Sequence, residues 1–431
     1  MFLYSWGRIY KSECEVKVIN EFDFNKVFKN KKFFLPQGEM RSYGDVCLNT
    51  NGLVLKTLNL SSFLDFDPIT GILNCESGVV LKEIQDTFLS RGWMLAVTPG
   101  TQLITVGGAI ANDIHGKNHH KYGNFSHHIL ELKLLRSSGE VLTCSRQENS
   151  DFFYATIGGI GLTGIILSAK IKLLPVESLF LKVEHIPFIG VDNFINLNNL
   201  SKDNWDYTVA WIDCLSGKKF KGIFIRANHT NNVGINRVDK KKIEIPCEFP
   251  FSLINNFSLK LFNKLYYNAK KIKKESIQDL YNFLYPLDGV LNWNLLYGKK
   301  GFYQYQCVFP FDTAAEAIEQ ILDLIYLAQQ GSFLVVLKAF GNIDSEGMLS
   351  FPMEGITLAL DFPNLGEKTL NLLNKMDEII SKNNGRIYLA KDIRMGRDLF
   401  YKTYPNAINF QKFRDPLISS DMALRLFEDI K

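Results

Sequence analysis

Residues 99–120 read PGTQLITVGGAIANDIHGKNHH, and this stretch carries the most unusual chemistry of the 431-residue chain. Gly100, Gly107, Gly108 and Gly116 punctuate an apolar run. That spacing points to backbone pressed against a flat or phosphorylated group, because only glycine leaves room for such an approach. T-V-G-G-A-I-A reads as a strand end turning into a short helix whose free N–H groups would suit a diphosphate. Five of the seven histidines, His115, His119, His120, His127 and His128, follow within fourteen residues. His115 and His119 have the i, i+4 spacing of a metal pair, but Gly116 between them argues against a regular helix. No metal is expected, and a redox cofactor accounts for the glycines as well. A glycine-rich turn with solvent-facing histidines is the plainer alternative.

Outward from this stretch, 431 residues are too many for one ordinary core, so two domains are expected. Hydrophobic residues make up 46% and charged residues 22%, a globular balance. The 33 Phe and 17 Tyr suit apolar pockets for a ring or a lipid. A net charge of +4, with no basic stripe or recognition motif, gives no reason to expect nucleic acid. The seven cysteines are scattered without a C-x-x-C pair and read as reduced, mostly buried thiols. The N-terminus, MFLYSWGRIYKSE, lacks the pattern of a signal peptide, and no run reaches the eighteen apolar residues of a membrane span. The sequence therefore predicts a cytoplasmic protein, soluble or at most peripheral at the inner face of the cell membrane.

Strands are predicted at 31–38 and 53–58, joined by a loop containing Arg41, Ser42, Tyr43, Gly44 and Asp45. Arg and Ser beside Gly can hold phosphate, although R-S-Y-G-D alone is usually a surface turn. Further strands are predicted at 72–76 and 129–136, and a helix at 80–91 ending at Gly92. G-I-G-L-T-G-I-I-L at 159–167 is a second glycine-lined approach to a buried strand, or equally a barrel corner. From about residue 178 aromatic strands (205–214, 220–227, 301–309) alternate with helices (313–329, 367–383), which suggests an α+β domain with an antiparallel sheet. Residues 229–246 lack a helical period and read as a mobile loop. Residues 253–286 place Leu and Phe at helical spacing with Lys270, Lys271, Lys273 and Lys274, a solvated face or a surface drawn to anionic membrane.

Taken in order, R-S-Y-G-D, P-G-T-x-x-x-T-V-G-G-A-I-A-x-D-I-H-G-K-N-H-H, G-L-T-G-I-I, F-x-Q-Y-Q, L-K-x-F-G, D-F-P, Y-x-A-K-D-x-R and S-D-M-A-x-R-L closely resemble the decaprenylphosphoryl-β-D-ribose 2′-oxidase family, within the vanillyl-alcohol-oxidase type of flavoproteins. The resemblance runs from about Trp6 to Leu426. It implies a two-domain α+β flavoprotein: a PCMH-type FAD-binding domain at 1–177, a substrate domain at 178–385, and a segment at 386–431 returning to the first domain. It also implies oxidation of the 2′-hydroxyl of a polyprenylphosphoryl ribose to the 2′-keto sugar, with an NAD(P)H-dependent keto-reductase partner completing epimerisation to the arabinose form. A free-sugar oxidase using oxygen and a non-catalytic flavin scaffold for a partner reductase are the competing readings.

By the same resemblance Arg41, Ser42, Tyr43, Gly44, Asp45, Gly100, Thr105, Val106, Gly107, Gly108, Asn112, Asp113, Ile114, His115, Ile166 and Tyr388 match positions that touch FAD. Lys391 matches the lysine beside the flavin and the substrate, where a fixed cation would stabilise negative charge developing on the reduced flavin. The sequence does not fix which group takes the hydroxyl proton; His115 and Lys391 are the candidates, directly or through water. Lys117, Trp211, Tyr297, Gln304, Gln306 and Lys338 match the sugar-phosphate pocket. Tyr43 stands where relatives with covalent flavin carry histidine, so FAD is expected to be non-covalent. Three departures are informative: Met40 replaces the second glycine of the family's first loop, Thr357 replaces a pocket asparagine, and Ala359 replaces the cysteine that nitroaromatic inhibitors bond in mycobacterial members.

Overall fold

Three sheets surround the 99–120 stretch. The computed structural model describes residues 1–19, 32–230 and 242–427. Strands β1 (Glu15–Val18), β2 (Phe34–Gln37) and β3 (Leu53–Lys56) form a parallel sheet with β3 in the middle. The two predicted strands thus pair in parallel, Leu35 opposite Val54. Parallel neighbours need a long crossover rather than a hairpin, and residues 38–52 supply it.

Strands β4 (Phe63–Asp67), β5 (Ile72–Glu76), β6 (Trp93–Leu95), β7 (Ile129–Leu135), β8 (Val141–Ser145) and β9 (Ile165–Pro175) build an antiparallel sheet ordered β8-β7-β9-β5-β4, with β6 on the end of β9. Helix α1 (Leu81–Phe88) buries Leu81, Ile84 and Phe88 against it. A 3-10 turn continues α1 to Gly92, whose φ of +81° ends it where the sequence predicts. The short helix α2 (Val106–Ala111) packs on β9.

The second half is one eight-stranded antiparallel sheet: β10 (Phe180–Ile189), β11 (Tyr207–Ile212), β12 (Lys221–His229), β13 (Glu275–Asp279), β14 (Phe302–Phe309), β15 (Val335–Phe340), β16 (Gly355–Pro363) and β17 (Arg386–Ile387), in the order β13-β10-β12-β11-β15-β16-β14-β17. Its two faces differ. Ala210, Tyr305, Cys307, Leu337, Leu358 and Leu360 point to helices α3 (Val191–Ser201), α5 (Phe311–Ala328) and α6 (Glu367–Lys382), forming the main core. Ile318, Ile321, Leu322 and Ile325 of α5 are fully buried there, each contributing about 1.5–3 kcal/mol. The opposite face looks toward the first half of the chain.

After β17 the chain recrosses the first half. Tyr43 N–H donates to Ala390 O (3.0 Å), Phe34 N–H to Leu417 O (2.9 Å) and Ser419 N–H to Phe34 O (3.0 Å). Most of the loop predicted at 229–246 lies outside the described residues; Ile243–Glu244 forms a short parallel pair with Val290–Leu291. Among the described residues, no helix is long and apolar enough to cross a membrane.

Candidate active site

A cavity of about 380 Å³ opens between the first half of the chain and the outer face of the large sheet. Residues 35–43, 98–108, 111–117 and 160–166 contribute to one side, and β14, β15 and residues 284–293 to the other. Ala390 and Lys391 close it from the returning tail.

The polar lining of the sheet side follows from strand alternation. Side chains two residues apart share a face, and opposed residues in an antiparallel pair share it too. Gln304 opposes Asp361, Gln306 opposes Ala359, Val336 opposes Ala359, and Lys338 opposes Thr357. Q-Y-Q therefore turns both glutamines toward the cavity and Tyr305 into the core. Gln304 Nε2 donates to Asp361 Oδ1 (2.7 Å), and Gln306 Nε2 donates to Thr357 Oγ1 (3.3 Å) and to His115 Nε2 (3.0 Å).

Lys391 reaches the cavity from the turn after β17. Its Nζ lies 3.7 Å from the centroid of the Tyr43 ring. Burial lowers its pKa to about 7, with the Asp361 carboxylate raising it and Lys338 lowering it further. Asp361 is pushed up to about 7 by burial, against the pull of the Gln304 hydrogen bond and Lys391. The two groups thus share a region where either charge is costly alone. Lys117 and Lys338, lowered to about 7 and about 8 by burial, flank the same wall. Lys117 Nζ donates to the carbonyls of Phe283 and Leu284, and Lys338 Nζ to Gly116 O (3.4 Å). An anion between these lysines would favour their protonated forms.

His115 is delivered by a strained turn. Asp113 has φ +38° and is fully buried, its carboxylate accepting from Asn124 Nδ2 (2.8 Å), Ser126 N–H (3.2 Å) and Ser350 Oγ (2.6 Å). Two residues on, His115 packs among Phe340, Phe351 and Tyr388. Burial first, then Lys338, His119 and Lys391, hold its pKa well below the usual histidine value, so the ring is neutral.

The cavity wall carries the marks of a ligand site. Gln37 Oε1, Arg41 Nε, Asn112 Oδ1, His115 Nδ1 and Gln304 Oε1 are buried without a protein partner, and all five residues line it. Buried polar atoms normally have partners, so these are receptors for a polar guest. Among the described residues, the backbone N–H groups of Glu39, Met40, Arg41 and Ser42 meet no protein acceptor either. This loop offers the row of donors that a phosphate requires. These features fit the phosphates and polar ring edge of FAD.

The expectation for α2 needs correcting. Its first N–H groups are not free: Val106 donates to Val79 O (2.9 Å), Gly107 to Ser77 O (2.7 Å) and Gly108 to the Thr105 hydroxyl that caps the helix (3.1 Å). The glycines allow close packing instead, since a Cβ on Gly107 would come 3.1 Å from Ser77 Cβ. Any diphosphate must take its donors from elsewhere. Met40 explains the family glycine it replaces: its φ is +54°, a conformation that glycine adopts freely, and its side chain packs on the cluster around Leu3, Cys14, Leu48 and Val54.

Arg41, Ser42, Tyr43, Gly100, Thr105, Gly107, Gly108, Asn112, Ile114, His115, Lys117, Ile166, Gln304, Gln306, Lys338, Tyr388 and Lys391 all border the cavity. Gly44, Asp45, Val106, Asp113, Trp211 and Tyr297 do not. Gly44 meets the tail so closely that a Cβ would lie 1.6 Å from Asp392 O. Asp45 accepts from Arg425 Nε and Nη2, both at 2.8 Å, and Arg425 Nη2 also reaches Asp392 Oδ2 (2.9 Å). Val106 is core. Trp211 packs at a tilt on Tyr266 (centroids 4.8 Å apart), and Tyr297 stacks on Phe302 (4.1 Å). The other clustered histidines bind main chain: His119 accepts from Gly341 N–H (3.2 Å), and His120, His127 and His128 pair with the carbonyls of Trp205, Asp344 and Tyr122. They pin the 115–128 segment to its neighbours. Sequence reading missed Asp361, although D-F-P sits two residues beyond Ala359 on one strand. It also missed Gln37 and Trp6, the latter stacked under the Arg41 guanidinium at 4.5 Å.

The glycine-lined cleft, the free donors of the 39–42 loop and the buried lysine define a flavin-dependent oxidoreductase. Residues 25–145 match the family model of the FAD binding domain, and FAD is the cofactor. The chain belongs to the decaprenylphosphoryl-β-D-ribose oxidase family: it is 34% identical over 414 residues to decaprenylphosphoryl-beta-D-ribose oxidase of Mycolicibacterium smegmatis, covering 91% of this chain and 88% of that protein. An uncharacterised protein of Streptomyces coelicolor is 28% identical over 81% of this chain and its own full length. Human Delta(24)-sterol reductase is 31% identical over 135 residues, 31% of this chain and 26% of that protein.

Proposed function

We propose that the enzyme oxidises the 2′-hydroxyl of a polyprenylphosphoryl-β-D-ribofuranose to the 2′-keto sugar. The observation that carries this reading is the convergence of Lys391 with Gln304, Gln306, Lys117 and Lys338 on one largely buried cavity. Bound FAD supplies the acceptor for the carbinol hydrogen, which leaves as hydride. The loops at 39–43, 100–108 and 112–115, with Ile166 and Tyr388, would hold it.

The chain's own groups do the rest. Lys391, with a pKa near 7, has neutral amine available to take the hydroxyl proton. His115 is less suited, because its Nε2 already accepts from Gln306; it orients the pocket instead. Gln304 Oε1, buried and unpartnered, would accept from a sugar hydroxyl, and Lys117 and Lys338 would take the phosphate. Ala359 borders the pocket where mycobacterial relatives carry the larger cysteine, and Thr357 lies behind the lining, holding Gln306. The sugar leaves as a ketone, so an NAD(P)H-dependent keto-reductase partner is required to complete epimerisation at that carbon. The lipid tail calls for work at a membrane surface.

The test is Lys391→Ala with prenylphosphoryl ribose as donor. FAD should stay bound while donor-driven flavin reduction and the product lacking two hydrogens both disappear. Wild-type rates in that variant would remove Lys391 from the chemistry.

A further inference from the structure

Helix α4 (Asn256–Ile272) lies on the same face of the large sheet as the cavity, beside it. Tyr266 packs on Trp211 and Phe262 on Phe333 (centroids 4.8 and 5.0 Å apart). Trp211 is opposite Val336, and Val336 and the neighbouring Val209 line the cavity. Leu259 and Asn263 are buried on this inner side, Asn263 donating to Asp213 Oδ1 (2.6 Å).

The outer side is unusual for a protein surface. Phe257 is 80% exposed, Leu261 51%, Leu265 62% and Ile272 84%. At 3.6 residues per turn these four fall within about 80° of the helix circumference. Lys260, Lys264 and Lys271 run along one flank of that stripe, and Lys273 and Lys274 follow it. The segment 253–274, LINNFSLKLFNKLYYNAKKIKK, contains no carboxylate. Exposed apolar side chains bordered by cations on one amphipathic helix match the chemistry of an anionic bilayer surface. They match a second copy of the same surface poorly, since the segment holds no acidic group to balance the lysines across such a contact.

Two further exposed apolar residues belong to the segment leading into α4. Ile243, 65% exposed, pairs with Val290, which lines the cavity, and Phe251, 67% exposed, packs its backbone on Gly298.

We propose that α4 docks on anionic lipid, its apolar stripe sinking into the headgroup boundary and its lysines meeting lipid phosphates, so that the cavity mouth faces the membrane. The site's use of a prenylated donor rests on the function proposed above; the docking itself does not. Docking lets the prenyl tail stay in apolar surroundings while the phosphosugar enters the cleft.

The experiment uses the full-length FAD-loaded protein. Co-sedimentation with vesicles of phosphatidylglycerol and phosphatidylcholine is compared with pure phosphatidylcholine vesicles, for wild type, for Phe257→Ser/Leu261→Ser/Leu265→Ser, and for Lys260→Glu/Lys264→Glu. Flavin absorbance and melting temperature confirm that each variant is folded. Wild type should bind the anionic vesicles at least about tenfold more tightly than the neutral ones, and both variants should lose most of that binding. The lysine variant should also lose the salt dependence. Equal binding by all three proteins, or none by wild type, overturns the proposal. So does a wild-type dimer that the serine variant converts to monomer, since a second copy would then cover the stripe. Turnover of a short-chain, water-dispersed prenylphosphoryl ribose should be unchanged in the serine variant. If wild type binds vesicles but does not turn over this donor, docking stands and the proposed substrate fails.

Discussion

The ammonium of Lys391 lies 3.7 Å from the centre of the Tyr43 ring, and Tyr43 meets Phe302 edge-on at 5.6 Å. The position that holds histidine in relatives with covalent flavin is here the cushion beneath a buried lysine. A cation over an aromatic face gains about 0.5–2 kcal/mol, more when desolvated. Tyr43→Phe keeps the face and should keep the rate of donor-driven flavin reduction within about twofold, while Tyr43→Leu should slow it about tenfold with FAD retained. Stopped-flow absorbance checks both. With tyrosine at this position, acid precipitation of wild type should leave a colourless pellet and a yellow supernatant.

The pH dependence separates two roles for Lys391. Its pKa is lowered to about 7 by burial, so the neutral amine dominates above that value and the cation below it. As the acceptor of the hydroxyl proton, Lys391 makes flavin reduction rise about tenfold per unit up to pH 7 and level off above. A fixed-cation role would give the opposite slope. Asp361 raises the Lys391 pKa, so Asp361→Asn should move the rising limb to lower pH. Single-turnover rates from pH 5.5 to 9 in both proteins test the sign and the shift.

Arg425 clasps Asp45 and Asp392, whose side chains are 5% and 4% exposed, and so joins the 41–45 loop to the residue beside Lys391. Arg425→Met leaves two buried carboxylates without their cation, at a cost of about 3–5 kcal/mol. Thermal melting should fall markedly, and FAD should be lost at a lower temperature than in wild type. An unchanged melting temperature would show that the clasp contributes little.

These clasps explain what could be read from the chain alone. Q-Y-Q and L-K-x-F-G are legible as a site once strand alternation is assumed, because the register sets Gln304, Gln306 and Lys338 on one face. Helix α1, the strands at 205–214, 220–227 and 301–309 and the helices at 313–329 and 367–383 were likewise written in hydrophobic period, whereas β10 and α3 were not predicted. What could not be read was use. R-S-Y-G-D contains cavity residues and structural ones side by side: Arg41, Ser42 and Tyr43 line the cleft, whereas Gly44 meets Asp392 and Asp45 meets Arg425, 380 residues away, contacts that local pattern cannot announce. The α2 N-terminus looked free because its acceptors, Ser77 O and Val79 O, come from a separate turn.

Ala359 borders the cavity opposite Gln306, where mycobacterial members carry cysteine. Cys47 also borders it, but burial pushes its thiol up to about 12, leaving it protonated and a poor nucleophile. Nitroaromatic inhibitors should therefore leave the intact mass of the wild-type protein unchanged after turnover with donor. Ala359→Cys should gain an adduct of one inhibitor per chain. An adduct on the wild type would show that another cysteine is reactive.

Whether this cleft oxidises a lipid-linked phosphoribose is decided by anaerobic bleaching of the bound flavin, with prenylphosphoryl ribose set against free ribose at equal concentration. The yellow absorbance should be lost promptly with the prenylphosphoryl donor and persist with ribose. Bleaching by free ribose at a comparable rate, with hydrogen peroxide released when air is admitted, would contradict it.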